Sequence, residues 1–125
     1  MKKLVQEAMK ARKAAYAPYS KFKVGAALIS KDGRIFAGCN VENSSYGLDV
    51  CAERAAVCRA ICDDAHEFTA IAIATGGSKF STPCGACRQT LEEFSPKMDV
   101  ILVNSKGKTK KFKLAKLLPS PFKLK

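Results

Sequence analysis

Two short cysteine segments constrain this chain more than anything else in it: Cys51-Ala52-Glu53-Arg54 and Pro83-Cys84-Gly85-Ala86-Cys87. About thirty residues separate them, so a fold that uses them together must bring distant parts of the chain to one point. Three thiolates suit Zn²⁺, which is usually tetrahedral. A closed structural site would call for a fourth Cys or His, and none stands at matching spacing. A three-ligand site leaves one corner for water, which is the layout of a catalytic zinc. Glu53 is a spare carboxylate two residues from Cys51 and could move that water's protons. Alone, such a glutamate reads equally well as an exposed first-turn residue that favours a helix dipole. Beside both cysteine segments the proton-moving role is the better reading.

Bulk properties narrow the alternatives. At 125 residues the chain reads as one domain, residues 1–125, and 47% hydrophobic residues are enough for a packed core. There is no run of about eighteen apolar residues, so no membrane span is expected. The start, Met1-Lys2-Lys3-Leu4-Val5-Gln6-Glu7, turns polar too soon for a signal-peptide core, which makes the cytoplasm the default location. In that setting six cysteines argue for metal ligation and burial, not for a disulfide framework. Cys51, Ala55, Cys58 and Cys62 fall on one helical stripe, so Cys58 and Cys62 read as small buried hydrophobes. The net charge of +11 raises nucleic acid as a partner. The lysines are spread along the chain, however, and lack the interleaved aromatics of a stacking platform. Functional nucleic-acid binding is therefore not expected.

Periodicity places the elements. Lys2 to about Ala15 reads as an amphipathic helix with Leu4, Val5, Ala8, Met9 and Arg12 on one side, closed by Pro18. Phe22 to Ser30 is a strand apolar on both faces. Lys31-Asp32-Gly33-Arg34 signals a tight hairpin, with Asp-Gly favouring a two-residue loop, and Arg34 to about Val41 returns antiparallel. Asn43 to Val50 is a loop. Helices follow at about Cys51 to Cys62 and from just after Pro83 to about Phe94, around a doubly covered strand at Phe68 to Thr75. Strands at Asp99 to Val103 and Thr109 to Lys113 flank a five-residue connector, and Leu114 to Leu118 has room for one helical turn. The expected fold class is α/β, a three-layer αβα sandwich on a five-stranded mixed sheet.

Cys51 and Cys84 both fall at predicted helix starts, where free N–H groups and the dipole favour thiolates. Three thiolates leave a net charge of −1 around Zn²⁺. Arg54 is placed to offset this by donating to the sulfurs, and its plainer reading is a surface arginine.

The match then extends beyond the metal ligands. Cys-Ala-Glu followed by Pro-Cys-x-x-Cys is the Cys₃ form of a zinc deaminase signature. Tyr16-Ala17-Pro18-Tyr19-Ser20-Lys21-Phe22-Lys23-Val24-Gly25-Ala26-Ala27-Leu28 and Asn40-Val41-Glu42-Asn43 resemble the N-terminal and nucleoside-binding segments of the cytidine deaminase family. Leu117-Leu118-Pro119-Ser120 with Phe122 resembles its C-terminal motif. The resemblance is to the small homotetrameric members acting on free pyrimidine nucleosides. It implies a cytidine deaminase-like fold and one zinc per chain on Cys51, Cys84 and Cys87, with Glu53 as the proton shuttle. Asn40 and Glu42 would hold the ribose 3′-hydroxyl, Phe22 would pack near base and sugar, and the Ala52 backbone would meet the carbonyl side of the pyrimidine. Ser44 and Tyr46 match a loop that reaches a neighbouring subunit's site near the 5′-hydroxyl. Phe122 matches an aromatic that closes over the base from another subunit. The expected activity is zinc-dependent hydrolytic deamination of cytidine and 2′-deoxycytidine in pyrimidine salvage.

Three rival readings remain at this stage. A deaminase of another small molecule would share the zinc chemistry without needing Asn40 and Glu42 as a ribose clamp. A nucleic-acid-editing deaminase would usually carry His in place of Cys51 and a helix before the last strand, for which Asn104 to Lys108 leaves no room. A zinc-stabilised RNA-binding module would leave Glu53 and the open metal corner without a purpose.

Overall fold

A computed structural model describes residues 1–124. In chain order the elements are α1 (Lys2–Arg12), β1 (Val24–Ser30), β2 (Ile35–Cys39), a 3₁₀ turn (Tyr46–Leu48), α2 (Ala52–Cys62), β3 (Phe68–Thr75), α3 (Gly85–Phe94), β4 (Asp99–Val103), β5 (Thr109–Lys113) and α4 (Leu114–Leu117). The five strands form one mixed sheet in the order β2-β1-β3-β4-β5. β3 and β4 are parallel, joined through α3, and the other neighbours are antiparallel.

Alternation along the strands divides the core in two. Ile71 and Ile73 of β3 point with Leu28, Val100 and Leu102 toward α2 and α3, where Ala52, Ala56, Val57, Ala60 and Leu91 meet them. Ala70, Ala72 and Ala74 point the other way with Ala27, Ile101 and Val103, onto Leu4 and Ala8 of α1. The sheet is thus covered on both faces, as the doubly apolar strands predict. Each fully buried Leu or Ile contributes about 1.5–3 kcal/mol of transfer free energy. The alanines let the helices lie close to the strands. Gly38 takes this furthest, because a Cβ built there would stand 2.5 Å from the Ala56 nitrogen and 2.6 Å from the Ala52 oxygen. Only a residue without a side chain lets α2 sit this near β2, and α2 carries the first half of the site.

The structure departs from the sequence expectations in several places. α1 stops at Arg12, not near Ala15. Its end tightens into i→i+3 bonds at Lys13, Ala14 and Ala15, and Tyr16 then bridges to Val41. Pairing with a strand extension outcompetes one more helical turn. The hairpin between β1 and β2 has three loop residues, not two. Gly33 N–H bonds to the Ser30 carbonyl, Ser30 N–H bonds to the Arg34 carbonyl, and Gly33 takes φ +91. This is a type I turn closed by a left-handed residue, a position glycine fills without steric cost. Cys58 and Cys62 are exposed, as the outward face of α2, so the buried-hydrophobe reading of both fails. Met9, expected on the inward stripe of α1, is also exposed. Among the described residues no helix is long and apolar enough to cross a membrane.

Candidate active site

Cys51 and Cys84 are the N-cap residues of α2 and α3, each extended at φ −74, ψ 151 and φ −66, ψ 167. An extended cap turns its side chain off the helix axis while the next residues start the spiral. The two helices begin side by side at the carboxyl end of β3, the usual location for ligand sites in open α/β sheets. Cys84 Sγ lies 4.0 Å from Cys51 Sγ and 3.5 Å from Cys87 Sγ, and all three sulfurs fall within 4.8 Å of one another. Tetrahedral zinc with bonds of about 2.3 Å would set its sulfurs about 3.8 Å apart. The spacing and the donor chemistry of this cluster therefore fit zinc. It is the only such group of three among the described residues.

The electrostatics of the three ligands differ. Burial and the charge of Glu53 push the Cys87 thiol far above the ordinary thiol range. Burial also acts on Cys84, but the Cys87 N–H and the neighbouring thiols outweigh it and hold that thiol below its ordinary value. A dication resolves the conflict by making all three anionic at once. Arg54 points its guanidinium at this charge, with Nη2 3.6 Å from Cys51 Sγ and 3.4 Å from the Asp49 carbonyl. The Cys51 contact is the first cause of a raised Arg54 pKa. The surface-arginine reading is thereby set aside.

Glu53 is 6% exposed, in the first turn of α2. Burial raises its pKa, opposed by its own backbone N–H, the Cys87 thiol and Arg54. A buried carboxylate whose pKa is raised by desolvation is suited to taking and giving protons. It shares a cavity of about 260 Å³ with Phe22, Val24, Asn40, Cys51, Ala52, Ile73, Thr75, Ser81, Thr82 and Cys84. Larger cavities elsewhere, such as the one beside Asp32 and His66, hold no comparable ligand cluster.

Asn40 is spent largely on the backbone. Its Oδ1 accepts the Val24 N–H at 2.9 Å and its Nδ2 donates to the Phe22 carbonyl at 2.9 Å. Glu42 is not among the cavity-lining residues but lies beside them, with Oε1 accepting the Tyr19 and Ser20 N–H groups at 3.0 and 3.1 Å. Its Oε2 accepts the Ser20 hydroxyl, the first cause of a lowered Glu42 pKa. Ser44, Tyr46 and Phe122 do not line this cavity. Tyr46 is 74% exposed and packs edge-on against Tyr19, and Phe122 is 72% exposed.

Sequence reasoning passed over Arg88. Its guanidinium bonds the Pro83 carbonyl at 2.7 Å, the Leu117 carbonyl at 2.6 Å and Thr82 Oγ1 at 2.9 Å. It ties the entry to α3, and so Cys84, to the C-terminal Leu-Leu-Pro segment. Gln89 adds a bond to the Phe122 carbonyl. An arginine one residue after Cys87 was the available signal, but its partner is 29 residues away.

Comparison with known proteins agrees with this geometry. A family model described as the cytidine and deoxycytidylate deaminase zinc-binding region matches residues 1–103. The chain is 48% identical over 123 residues to a cytidine deaminase of Sporosarcina psychrophila, covering 98% of this chain and 90% of that one. A cytidine deaminase of Halalkalibacterium halodurans is 44% identical over 120 residues, covering 95% and 91%. The crystal structure of cytidine deaminase from Burkholderia pseudomallei superposes with a TM-score of 0.93 at 46% identity, covering 97% of this chain and 98% of that one.

Proposed function

The chain belongs to the cytidine deaminase family, and from that premise we propose how its own residues deaminate cytidine. The enzyme catalyses zinc-dependent deamination of cytidine. The observation that carries the assignment of roles is the convergence of three sulfurs and one buried carboxylate on one cavity. Cys51, Cys84 and Cys87 would hold the zinc, which would supply the Lewis acidity that makes a water nucleophilic at neutral pH.

Glu53 takes a proton from that water and delivers it to the pyrimidine ring nitrogen. The water oxygen adds at C4, and Glu53 then takes the proton left on that oxygen and passes it to the exocyclic amine. The C4–N bond then breaks, ammonia leaves, and a carbonyl forms. Arg54 tempers the excess negative charge of three thiolates. The Ala52 N–H holds the carbonyl side of the base. In support, the first α2 bond runs from Ala55 N–H to the Cys51 carbonyl, which leaves the Ala52 N–H without a partner in the helix.

Asn40 and Glu42 hold one ribose hydroxyl. Glu42 Oε1 already accepts two bonds and Oε2 one, so one good acceptor position remains. Asn40 keeps one N–H. One acceptor and one donor match a single hydroxyl, which supports 2′-deoxycytidine as a second substrate. The exposure of Phe22, Tyr46 and Phe122 supports a homotetramer in which neighbours complete each site, Ser44 and Tyr46 at the 5′ end and Phe122 over the base. Residues 1–125 act as one catalytic unit, in the cytoplasm, in pyrimidine salvage.

The test is an assay of the zinc-loaded protein for ammonia and uridine from cytidine, paired with Glu53→Ala. Wild type turns over. The mutant retains zinc and fold while kcat falls by about 10²–10⁴. Near-normal turnover by Glu53→Ala would overturn the mechanism.

A further inference from the structure

Phe22 has both of its peptide groups fixed by side chains. Its N–H donates to Ser20 Oγ at 3.0 Å, and its carbonyl accepts Asn40 Nδ2 at 2.9 Å. Between Ser20 and Phe22 the chain turns through Lys21 at φ +62, a region that non-glycine residues seldom occupy. The same Ser20 hydroxyl that accepts from Phe22 donates its proton to Glu42 Oε2. Two further N–H groups, from Tyr19 and Ser20, close on Glu42 Oε1. Ser20 itself is exposed and is not among the residues that line the cavity. A half-buried glutamate on an ordinary loop has no need of three donors from one short segment.

We propose that Ser20 is a positioning residue for substrate binding: one hydroxyl sets the Glu42 carboxylate and the Phe22 ring in a fixed relation. The proton of Ser20 goes to Glu42, which leaves its lone pairs for Phe22. The hydroxyl therefore also fixes which Glu42 lone pair stays open to a ribose hydroxyl. Loss of the hydroxyl frees the carboxylate to rotate and loosens the segment carrying Phe22. The inference rests on the reading of Glu42 as a ribose-holding group.

The experiment measures kcat and KM for cytidine, and kcat/KM for 3′-deoxycytidine, in wild type, Ser20→Ala, Ser20→Thr and Glu42→Gln. Zinc content and circular dichroism confirm folding. Ser20→Ala raises KM for cytidine about tenfold, the order expected for one lost charge-assisted hydrogen bond, and leaves kcat within about threefold. Ser20→Thr, which keeps the hydroxyl, restores KM. On 3′-deoxycytidine the loss caused by Ser20→Ala is smaller than on cytidine, since the hydroxyl that Glu42 would accept is missing and only the Phe22 contribution is left. An equal loss on both substrates means that Ser20 is only a loop staple, and overturns the proposal. A normal Ser20→Ala beside an impaired Glu42→Gln also overturns it, while the ribose reading stands. Normal kinetics in both variants removes the ribose reading, and the role of Ser20 with it.

Discussion

The thiol centre and the rim proposed to hold the sugar are built on opposite plans. Cys51, Glu53, Cys84 and Cys87 stand on the first turns of α2 and α3, and both helices are pressed on the sheet by apolar burial. Ala52 and Cys87 have no exposed surface at all. The rim is made of residues 17–24 and 40–50, mostly exposed and secured by side chains bonded to backbone: Asn40 to Phe22 and Val24, and Glu42 to Tyr19 and Ser20. Bond making needs atoms held to fractions of an ångström, and close-packed helix starts supply that. Holding a sugar needs polar groups that water could otherwise reach, so the rim depends on a few directed tethers. The first plan fails all at once when a ligand is lost. The second loosens by degrees.

The largest expected effect lies at the centre. Cys87→Ala removes the fully buried member of the three-sulfur cluster, so zinc per chain falls well below one and turnover is lost. Metal analysis by atomic absorption checks this, and an active, zinc-loaded Cys87→Ala would break the distinction. A smaller effect is expected at the rim. Asn40→Ala removes the bonds to the Phe22 carbonyl and the Val24 N–H, so KM for cytidine rises about ten- to a hundredfold while zinc stays bound. Loss of zinc in that variant would show that the two regions are one cooperative unit.

The smallest effect belongs to neither region. Asp99, at the start of β4, is held by Lys113 at 2.8 Å and Lys111 at 3.5 Å on the edge strand β5. The Lys113 contact is the first cause of its lowered pKa. A depressed carboxylate pKa stabilises the fold above its unfolded value of 3.8, and that contribution is lost as pH falls through the folded value. Asp99→Asn therefore lowers thermal stability at pH 7 by roughly 0.2–1 kcal/mol, as for surface ion pairs. The difference from wild type disappears in acid below the folded value, while kcat and KM do not move. Melting curves at the two pH values, with kinetics at pH 7, are the check. A persistent difference in acid would mean that something other than charge is at work.

The cysteine segments and Glu53 were legible in the sequence because their geometry is local. Residues one or two positions past a helix start hold a fixed relation to one another whatever surrounds them. The core of the sheet was legible because its central strands β1, β3 and β4 are apolar on both faces. The true end of α1 was not, since Tyr16 chooses between another helical turn and a bridge to Val41, 25 residues on. Exposure of Cys58 and Cys62 was hidden as well. A helical stripe fixes which residues share a face, not which way that face is turned. The work of Ser20 and Arg88 depends on partners 22 and 29 residues distant.

By itself, then, the sequence determined the three-cysteine set, the α/β class and the place of Glu53 beside it, because spacing within a helix or strand is set by the backbone. Only the tertiary structure decided which side chains face the cavity, which Glu42 lone pair is left open, and how Arg88 ties the tail to the entry of α3. Those features depend on contacts between elements, and such contacts exist only once the sheet has brought them together.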